Sequence, residues 1–207
     1  MKNTIQGLYA ITDQHLITPK KFAVKVRQAL QGGAKVVQYR DKSQQHQLRF
    51  EQASLVVKLC HEYGAISIVN DDVDLAIIVN ADGVHIGSKD DGLSYARQKL
   101  GEKKIIGVSC YADVSLAEQA VADSADYVAF GSIFASPTKP QAPIAGLNIL
   151  RQAKQNLAVP IVAIGGITLD NLDEVISSGA DSVAIISGVF ASENINLQAQ
   201  QFAQVFN

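Results

Sequence analysis

The residue types that could do chemistry in this chain are concentrated where short apolar runs end. Arg40 and Lys42 follow the second such run, and in extended backbone residues two apart face the same way. Two cations on one face are suited to binding an anion, although a solvated basic pair is the simpler alternative. Lys139 follows a later run, in a segment rich in proline and hydroxyl groups. These three side chains are therefore candidate anion ligands.

Carboxylates follow the third and fourth apolar runs. Asp71 and Asp90 come shortly after these runs end, where they could converge on one cation. Mg²⁺ is typically held by one or two carboxylates, with phosphate oxygens and waters completing its shell. The pattern therefore predicts a Mg²⁺ site formed by Asp71 and Asp90. Their neighbours Asp72 and Asp91 are expected to cap the helices that follow.

A second anion site, formed by uncharged groups, is predicted after the last two apolar runs. Gly165-Gly166 follows one run, and Ser187-Gly188 begins a helix-like turn after the other. Backbone N–H groups in such turns bind phosphate, although a tight turn alone would also explain the paired glycines. Together the two sites would hold a diphosphate and a monophosphate at once.

This inventory favours transfer of a group away from diphosphate over hydrolysis. The charge of the leaving group would be neutralised, and the sequence suggests no general base for water. Ser109 follows the fifth run without a Gly-x-Ser-x-Gly elbow, so a serine hydrolase is a weak alternative. His85 lies inside an apolar run and is interpreted as a structural histidine.

Eight apolar runs separated by helical patterns must position these residues. The runs are almost continuously apolar, which is typical of parallel strands covered by helices. We predict a single-domain (β/α)8 barrel over residues 1–207, with its active site at the carboxyl ends of the strands. An open doubly wound sheet is the alternative, disfavoured because no glycine-rich dinucleotide motif follows the first run. The predicted strands are 8–12, 36–40, 66–69, 83–86, 105–108, 127–130, 161–164 and 182–186.

Helices are predicted between the strands, and their ends share a pattern. Gly33-Ala34, Gly64-Ala65 and Gly179-Ala180 each precede a strand, and Ser124-Ala125 takes the same place before the sixth. We interpret these pairs as helix C-caps. The predicted helices are 19–30, 48–60, 73–79, 95–100, 116–122, 147–156, 172–178 and 197–205.

Composition narrows the class of protein. The chain has 207 residues, is 47% hydrophobic and carries a net charge of −2. Because no basic cluster is present, nucleic acid is not an expected partner. The sequence predicts no membrane span and no signal peptide, so we expect a cytoplasmic protein with Cys60 and Cys110 reduced. Whether it forms a homo-oligomer is left open.

Seven motifs lie in order along nearly the whole chain: GLYAITD (7–13), VQYRDK (37–42), VNDDVDLA (69–76), ADGVHIG (81–87), GVS (107–109), PTK (137–139) and AIGGI (163–167). Together they resemble the motifs of thiamine-phosphate synthase. The resemblance implies a TIM-barrel transferase that joins hydroxymethylpyrimidine diphosphate to hydroxyethylthiazole phosphate with Mg²⁺ and releases diphosphate. It also implies a dissociative reaction, in which a pyrimidine methylene cation forms and the thiazole nitrogen captures it.

The resemblance implies a role for each candidate residue. Gln38 would lie beside the pyrimidine, and Ser109 would lie near both the pyrimidine and the departing diphosphate. Asp71 and Asp90 would be the Mg²⁺ ligands. Arg40, Ser109 and Lys139 would be the catalytic residues. The diphosphate would be held by Arg40, Lys42, Asn70 and Lys139, and the thiazole phosphate by Ser136, Thr138, Gly166, Ile186 and Ser187.

The chain departs from the family pattern at three places. Asp41 replaces the more usual glutamate, Ser132 stands where proline is common, and Ala135-Ser136 replaces a frequent Pro-Thr.

Two rival functions remain. One rival is a thiazole tautomerase of the same superfamily. Such relatives tend to lack the diphosphate-binding residues and to use a histidine just after the fifth strand, where this chain has Tyr111. The other is a non-catalytic sensor of a phosphate metabolite, which would have little need of Mg²⁺ carboxylates.

Overall fold

Eight parallel strands pair in chain order and close into a barrel in the computed structural model, which describes residues 4–87, 92–135 and 143–206. The last strand pairs with the first, so no edge is left open. This confirms the (β/α)8 fold and excludes the open sheet. The strands are β1 (Gly7–Ile11), β2 (Val36–Tyr39), β3 (Ile66–Asn70), β4 (Gly83–Ile86), β5 (Ile105–Tyr111), β6 (Tyr127–Phe130), β7 (Ile161–Ile164) and β8 (Ser182–Ile185).

Helices surround the barrel in the described residues. The predicted helix from Pro19 begins with a 3-10 turn, Pro19–Lys21, and continues as an α-helix. A four-residue helix follows β8, where the sequence predicted a helix-like turn. The α-helices are α1 (Phe22–Gln31), α2 (His46–Tyr63), α3 (Val73–Ile78), α4 (Gly92–Leu100), α5 (Val114–Ala122), α6 (Asn148–Asn156), α7 (Leu172–Ser177), α8 (Ser187–Phe190) and α9 (Ile195–Gln204).

β5 is longer than the sequence predicted. Its expected end was Val108, but the strand continues to Tyr111 because Ser109 pairs in register with Ala129 of β6. Ser109 therefore lies within the barrel wall, on a strand, rather than in a loop after it. That the whole of residues 1–207 forms one catalytic domain stays a prediction.

The structure contains the helix ends with left-handed backbone that the sequence predicted at positions preceding strands. Gly64 caps α2 with φ of 64°, a conformation that costs glycine little because it has no Cβ. Ser124 adopts φ of 77° after α5, so it takes the same role without being glycine. The interpretation of the Gly-Ala and Ser-Ala pairs as helix C-caps is confirmed at these two positions.

Three aspartates stabilise the end of the barrel at which the strands begin. Asp82, Asp126 and Asp181 immediately precede β4, β6 and β8, and each follows an alanine. Each carboxylate accepts a hydrogen bond from a backbone N–H of the preceding strand, at 2.8 to 2.9 Å. These bonds tie neighbouring strands together on the face opposite the predicted active site.

The core has two parts, one outside the strands and one inside them. The outer part packs the helices against the barrel wall. The barrel interior contains the large side chains Tyr9 and Tyr127, both almost fully buried, among smaller aliphatic residues. Among the residues described, no helix combines the length and apolarity that crossing a bilayer requires.

Candidate active site at the carboxyl ends of the strands

The two predicted cations of β2 lie at the mouth of the barrel, one toward each neighbouring strand. Nη1 of Arg40 is 3.7 Å from Oδ2 of Asp13, which follows β1. The backbone N–H of Arg40 donates to Oγ1 of Thr12 at 2.9 Å, which fixes this residue against β1. Nζ of Lys42 is 3.7 Å from Oδ2 of Asp71, which follows β3. The structure thus places Arg40 toward the end of β1 and Lys42 toward the end of β3, on either side of β2.

Asn70, Asp71 and Lys42 form a polar cluster on the β3 side. Nδ2 of Asn70 donates to Oδ2 of Asp71 at 2.7 Å. The side chains of Lys42 and Asp71 are 61% and 55% exposed, so their long ion pair contributes little to stability. Both side chains remain accessible to a ligand in solution.

Asp71 and its neighbour Asp72 have different roles, as the sequence predicted for Asp72. Oδ1 of Asp72 accepts from the backbone N–H of Leu75 at 2.9 Å, which caps α3, and Oδ2 accepts from Nη2 of Arg49 at 2.6 Å. Asp71 has φ of 60°, unusual for a residue with a side chain, and its N–H donates to the carbonyl of His85 at 2.8 Å. This backbone conformation holds the Asp71 carboxylate at the mouth, beside β4.

A pocket of about 510 Å³ opens beside the ends of β2, β3 and β4. Lys42, Asn70 and Asp71 line one side, and Ile86 and Gly87 at the end of β4 line another. A larger depression of about 1280 Å³ lies at the opposite end of the barrel. Its charged groups include Asp126 and Asp181, which bond to strand backbone, so the smaller pocket is the better candidate for chemistry.

A chain of hydrogen bonds crosses the barrel interior. Nε2 of Gln38 donates to the hydroxyl of Tyr9 at 2.8 Å, and the hydroxyls of Tyr9 and Tyr127 are 2.9 Å apart. The hydroxyl of Tyr127 is 2.9 Å from Nδ1 of His85, and Nε2 of His85 is 2.8 Å from Oγ of Ser109. We call these five residues the interior chain. It connects Gln38 and Ser109, which the family resemblance implies to be pyrimidine contacts.

Burial keeps the members of the interior chain uncharged. Desolvation lowers the pKa of His85 to about 4, an effect that the nearby Asp71 carboxylate opposes. Desolvation also raises the pKa of Tyr9 and of Tyr127 well above the ordinary tyrosine value. Near neutral pH the interior chain is therefore a set of neutral donors and acceptors.

Sequence reasoning missed Tyr9 and Tyr127 as site residues. His85 was interpreted as structural, and it does have both ring nitrogens bonded, but its bond to Ser109 was not anticipated. One signal was available in Gly107, a glycine inside an apolar strand, which often marks a close approach. A Cβ at Gly107 would collide with the end of the Tyr127 ring.

The ends of β6 and β7 are joined where the second phosphate site was predicted. The N–H groups of Ile133 and Phe134 donate to the carbonyls of Ile164 and Gly165 at 2.9 and 3.0 Å. Gly166 has φ of 66°, and a Cβ there would collide with the backbone of residues 134 and 135. The segment after β6 is thus held against the glycine pair.

The remaining candidates of this second site differ in what the structure describes. Ile186 is half-buried beside the barrel interior, and Ser187 is exposed at the start of α8. Ser136, Thr138 and Lys139 lie outside the described residues, as do Asp90 and Asp91.

No cluster of three or more His, Cys, Asp or Glu side chains suited to a metal occurs in residues 4–87, 92–135 and 143–206. Of the two predicted Mg²⁺ ligands, the structure describes Asp71, whose carboxylate is half-exposed at the pocket. A single accessible carboxylate fits Mg²⁺, which takes most of its other ligands from water and phosphate.

Comparisons with known proteins identify the family of this chain. The family model described as thiamine monophosphate synthase, TMP-TENI, matches residues 8–189. A thiamine-phosphate synthase of Nitrosococcus oceani is 48% identical, covering 100% of this chain and 95% of that protein. One of Acidithiobacillus ferrooxidans is 47% identical, covering 98% of this chain and 95% of that protein.

A solved structure shows the same relationship. The thiamine phosphate pyrophosphorylase of Pyrococcus furiosus superposes with a TM-score of 0.88 at 35% identity, covering 97% of this chain and 95% of that one. The family match and the identity of the full-length relatives establish what the motifs suggested: this chain belongs to the thiamine-phosphate synthase family.

Proposed function

We propose that this transferase, a thiamine-phosphate synthase by family, couples hydroxymethylpyrimidine diphosphate to hydroxyethylthiazole phosphate at the mouth of its barrel. The observation that carries the placement is that Arg40, Lys42, Asn70 and Asp71 lie at the carboxyl ends of two adjacent strands, β2 and β3, with Lys42 and Asn70 both contacting Asp71. Cations and an amide at one edge suit a diphosphate, and a buried polar wall below suits an uncharged heterocycle.

The diphosphate would be held by Arg40, Lys42, Asn70 and Lys139. The long, weak contacts of Arg40 and Lys42 with Asp13 and Asp71 support this, because a ligand oxygen can replace them at small cost. Ser109 supplies a hydroxyl between the diphosphate and the ring. Arg40 and Lys139 would then neutralise the charge on the departing diphosphate.

Mg²⁺ would be held by Asp71 and Asp90 together with diphosphate oxygens. When bound, it would neutralise charge on those oxygens. Asn70 donates to the Asp71 carboxylate at 2.7 Å and so orients this ligand from outside the metal shell.

The reaction would proceed by dissociation. The C–O bond to diphosphate breaks, the pyrimidine methylene carries the positive charge, and the thiazole nitrogen then forms the new C–N bond. Gln38, nearly fully buried in the barrel, would orient the pyrimidine during both steps. The neutral interior chain suits this reaction because it offers hydrogen bonds without a charge that would repel the cation.

The thiazole phosphate would bind on the far side of the mouth, to Ser136 and Thr138 with Gly166, Ile186 and Ser187. The support is the joining of residues 133–135 to the end of β7, which brings the chain before Ser136 beside Gly166. Two phosphates held on opposite sides would leave the reacting atoms between them.

The activity is tested by incubating the purified chain with both substrates and Mg²⁺, with each substrate omitted in turn. We expect thiamine phosphate and diphosphate to form in equal amounts only when both substrates are present. Isomerisation of a thiazole phosphate without diphosphate release would instead identify the tautomerase. Binding without any turnover by folded protein would identify a sensor.

The proposal has two further parts: a cytoplasmic location, and an oligomeric state that is left open between a monomer and a homo-oligomer. Both described cysteines are free and buried, which supports a reducing compartment. Cell fractionation tests the first part, and sedimentation of the purified chain tests the second.

A further inference from the structure

The hydrogen bonds of the interior chain must all run in the same direction, from donor to acceptor, because each of its hydroxyls carries a single proton. In the described part of the protein, the hydroxyl of Tyr9 has two polar neighbours, Gln38 and Tyr127. The hydroxyl of Tyr127 likewise lies between Tyr9 and His85. A neutral imidazole donates from one nitrogen and accepts at the other. The donor at one end of such a chain therefore decides the donor at every later bond.

The orientation of Gln38 in the structure sets this direction. Its Nε2 donates to Tyr9, so the Tyr9 proton is available for Tyr127. The Tyr127 proton then goes to Nδ1 of His85, and the imidazole carries its own proton on Nε2. That N–H donates to Oγ of Ser109, which leaves the Ser109 proton for a ligand at the mouth.

Reversing only part of the interior chain is unfavourable. If Tyr127 donated to Tyr9 while Gln38 also did, the Tyr9 proton would have no acceptor in the buried interior. Leaving a buried donor unpaired costs about 1–3 kcal/mol by general experience. Complete reversal is free of this cost, but it requires the Gln38 amide to turn and present its oxygen to Tyr9.

We propose that the interior chain couples the hydrogen-bonding roles of Gln38 and Ser109. Gln38 then offers an acceptor to the ligand whenever Ser109 offers a donor. Tyr9, Tyr127 and His85 are positioning residues in this scheme, since they act through the two residues at the ends. The ligand it selects presents a donor, such as an exocyclic amine, to Gln38 and an acceptor, such as a ring nitrogen or phosphate oxygen, to Ser109. The assignment of that ligand as an aminopyrimidine diphosphate rests on the proposed function.

Which ring nitrogen of His85 carries the proton shows the direction of these hydrogen bonds, and this can be measured in the absence of substrate. We would record ring-nitrogen shifts of ¹⁵N-histidine-labelled, ligand-free protein at pH 7.5, assigning His85 by the loss of its signals in His85→Asn. The expected result is a proton on Nε2 and none on Nδ1. A proton on Nδ1 in the unmodified protein would overturn the assigned direction.

Gln38→Glu should reverse the interior chain. Burial raises the pKa of a carboxyl at this position, so this variant is followed up to pH 9. Once ionised, the carboxylate can only accept, so Tyr9 must donate to it, Tyr127 must donate to Tyr9, and Nδ1 of His85 must become protonated. The matched control is Gln52→Glu, a buried glutamine that accepts from Tyr39 outside the interior chain. His85 should be unchanged in this control.

A double variant tests whether the signal travels through Tyr9. In Tyr9→Phe/Gln38→Glu the connection is cut, so the proton of His85 should return to Nε2. An Nδ1 proton in both the single and double variants would show that the carboxylate acts directly on His85, and the proposal would fail. An unaltered His85 in folded Gln38→Glu, with folding checked by circular dichroism and ionisation of the new carboxyl shown by its ¹³C shift, would also refute it.

These outcomes are independent of the proposed function. If the chain made no thiamine phosphate but His85 switched as described, the coupling would stand and the ligand would need revision. If the chain were active but His85 did not switch, the coupling alone would be wrong.

Discussion

Nε2 of His85 lies 2.8 Å from Oγ of Ser109, although the two residues are on neighbouring strands and 24 positions apart in sequence. The contact joins Ser109, near the carboxyl end of β5, to the hydrogen-bonded interior of the barrel. Ser109 is therefore held in place by a half-buried neighbour on β4.

Ser109→Ala should lower turnover while leaving the fold intact. Loss of one hydrogen bond to a charged group costs about 1.5–3 kcal/mol, which corresponds to a fall in kcat of roughly 10- to 100-fold. Steady-state kinetics and thermal melting would measure the two effects. Ser115→Ala, on an exposed part of α5, is the control. Equal kinetics in both variants would remove Ser109 from the mechanism.

Lys42→Ala should weaken binding of the pyrimidine diphosphate. Its ion pair with Asp71 is long and exposed, so stability should change by less than about 1 kcal/mol. We expect the KM for the diphosphate substrate to rise about 10-fold or more, because a cation facing the diphosphate is lost. Lys103→Ala, another exposed lysine, should leave KM unchanged. A KM for Lys42→Ala equal to that of the control would contradict the proposed diphosphate site.

Gly107→Ala should disturb the interior chain from outside it. The added methyl group would meet the ring and hydroxyl of Tyr127, which must then move. Overpacking of this kind costs typically about 1–3 kcal/mol. Chemical denaturation would measure the loss. Gly87→Ala has open space around the new Cβ and should be nearly neutral for stability, so similar losses in both variants would contradict this explanation.

Asp82→Ala should reduce stability and leave catalysis alone. Its carboxylate accepts from the N–H and the hydroxyl of Ser67 at 2.8 and 2.7 Å, at the end of the barrel opposite the site. Leaving buried donors unpaired costs about 1–3 kcal/mol. Denaturation and kcat at 25 °C would be compared with Glu102→Ala, which removes an exposed carboxylate. A large fall in kcat for folded Asp82→Ala would show that this face affects the reaction.

The two cysteines should be unreactive in the native protein. Burial raises the pKa of Cys60 and of Cys110 to about 12 by disfavouring the thiolate. Their contribution to stability is complete below the unfolded value near 9 and is lost as the pH rises from there toward 12. A disulfide-exchange reagent at pH 8 should detect no thiol before unfolding and two after it. Rapid labelling of native protein would contradict their burial.

The fold was predictable because strand and helix patterns alternate strongly along the chain. Most strand limits agree to within one residue, and the largest error, at β5, arose because pairing with β6 extends a strand beyond its apolar run. Arg40, Lys42, Asn70 and Asp71 were predictable for a similar reason, since parallel strands place their carboxyl ends together.

The interior chain was not predictable from local patterns. Tyr9 and Tyr127 lie in apolar runs where aromatic residues ordinarily fill a core, and their hydroxyls meet only because β1 and β6 face each other across a closed barrel. His85 and Ser109 meet through the pairing of β4 with β5. Such contacts depend on register across several strands, which no single motif encodes.

The most direct test of the proposed site is a crystal structure of the protein with Mg²⁺, thiazole phosphate and an uncleavable analogue of the pyrimidine diphosphate. We expect the diphosphate beside Arg40 and Lys42, the pyrimidine between Gln38 and Ser109, and the monophosphate against Gly166 and Ser187. Ligand density at the opposite end of the barrel, or a diphosphate bound away from Arg40 and Lys42, would contradict the placement.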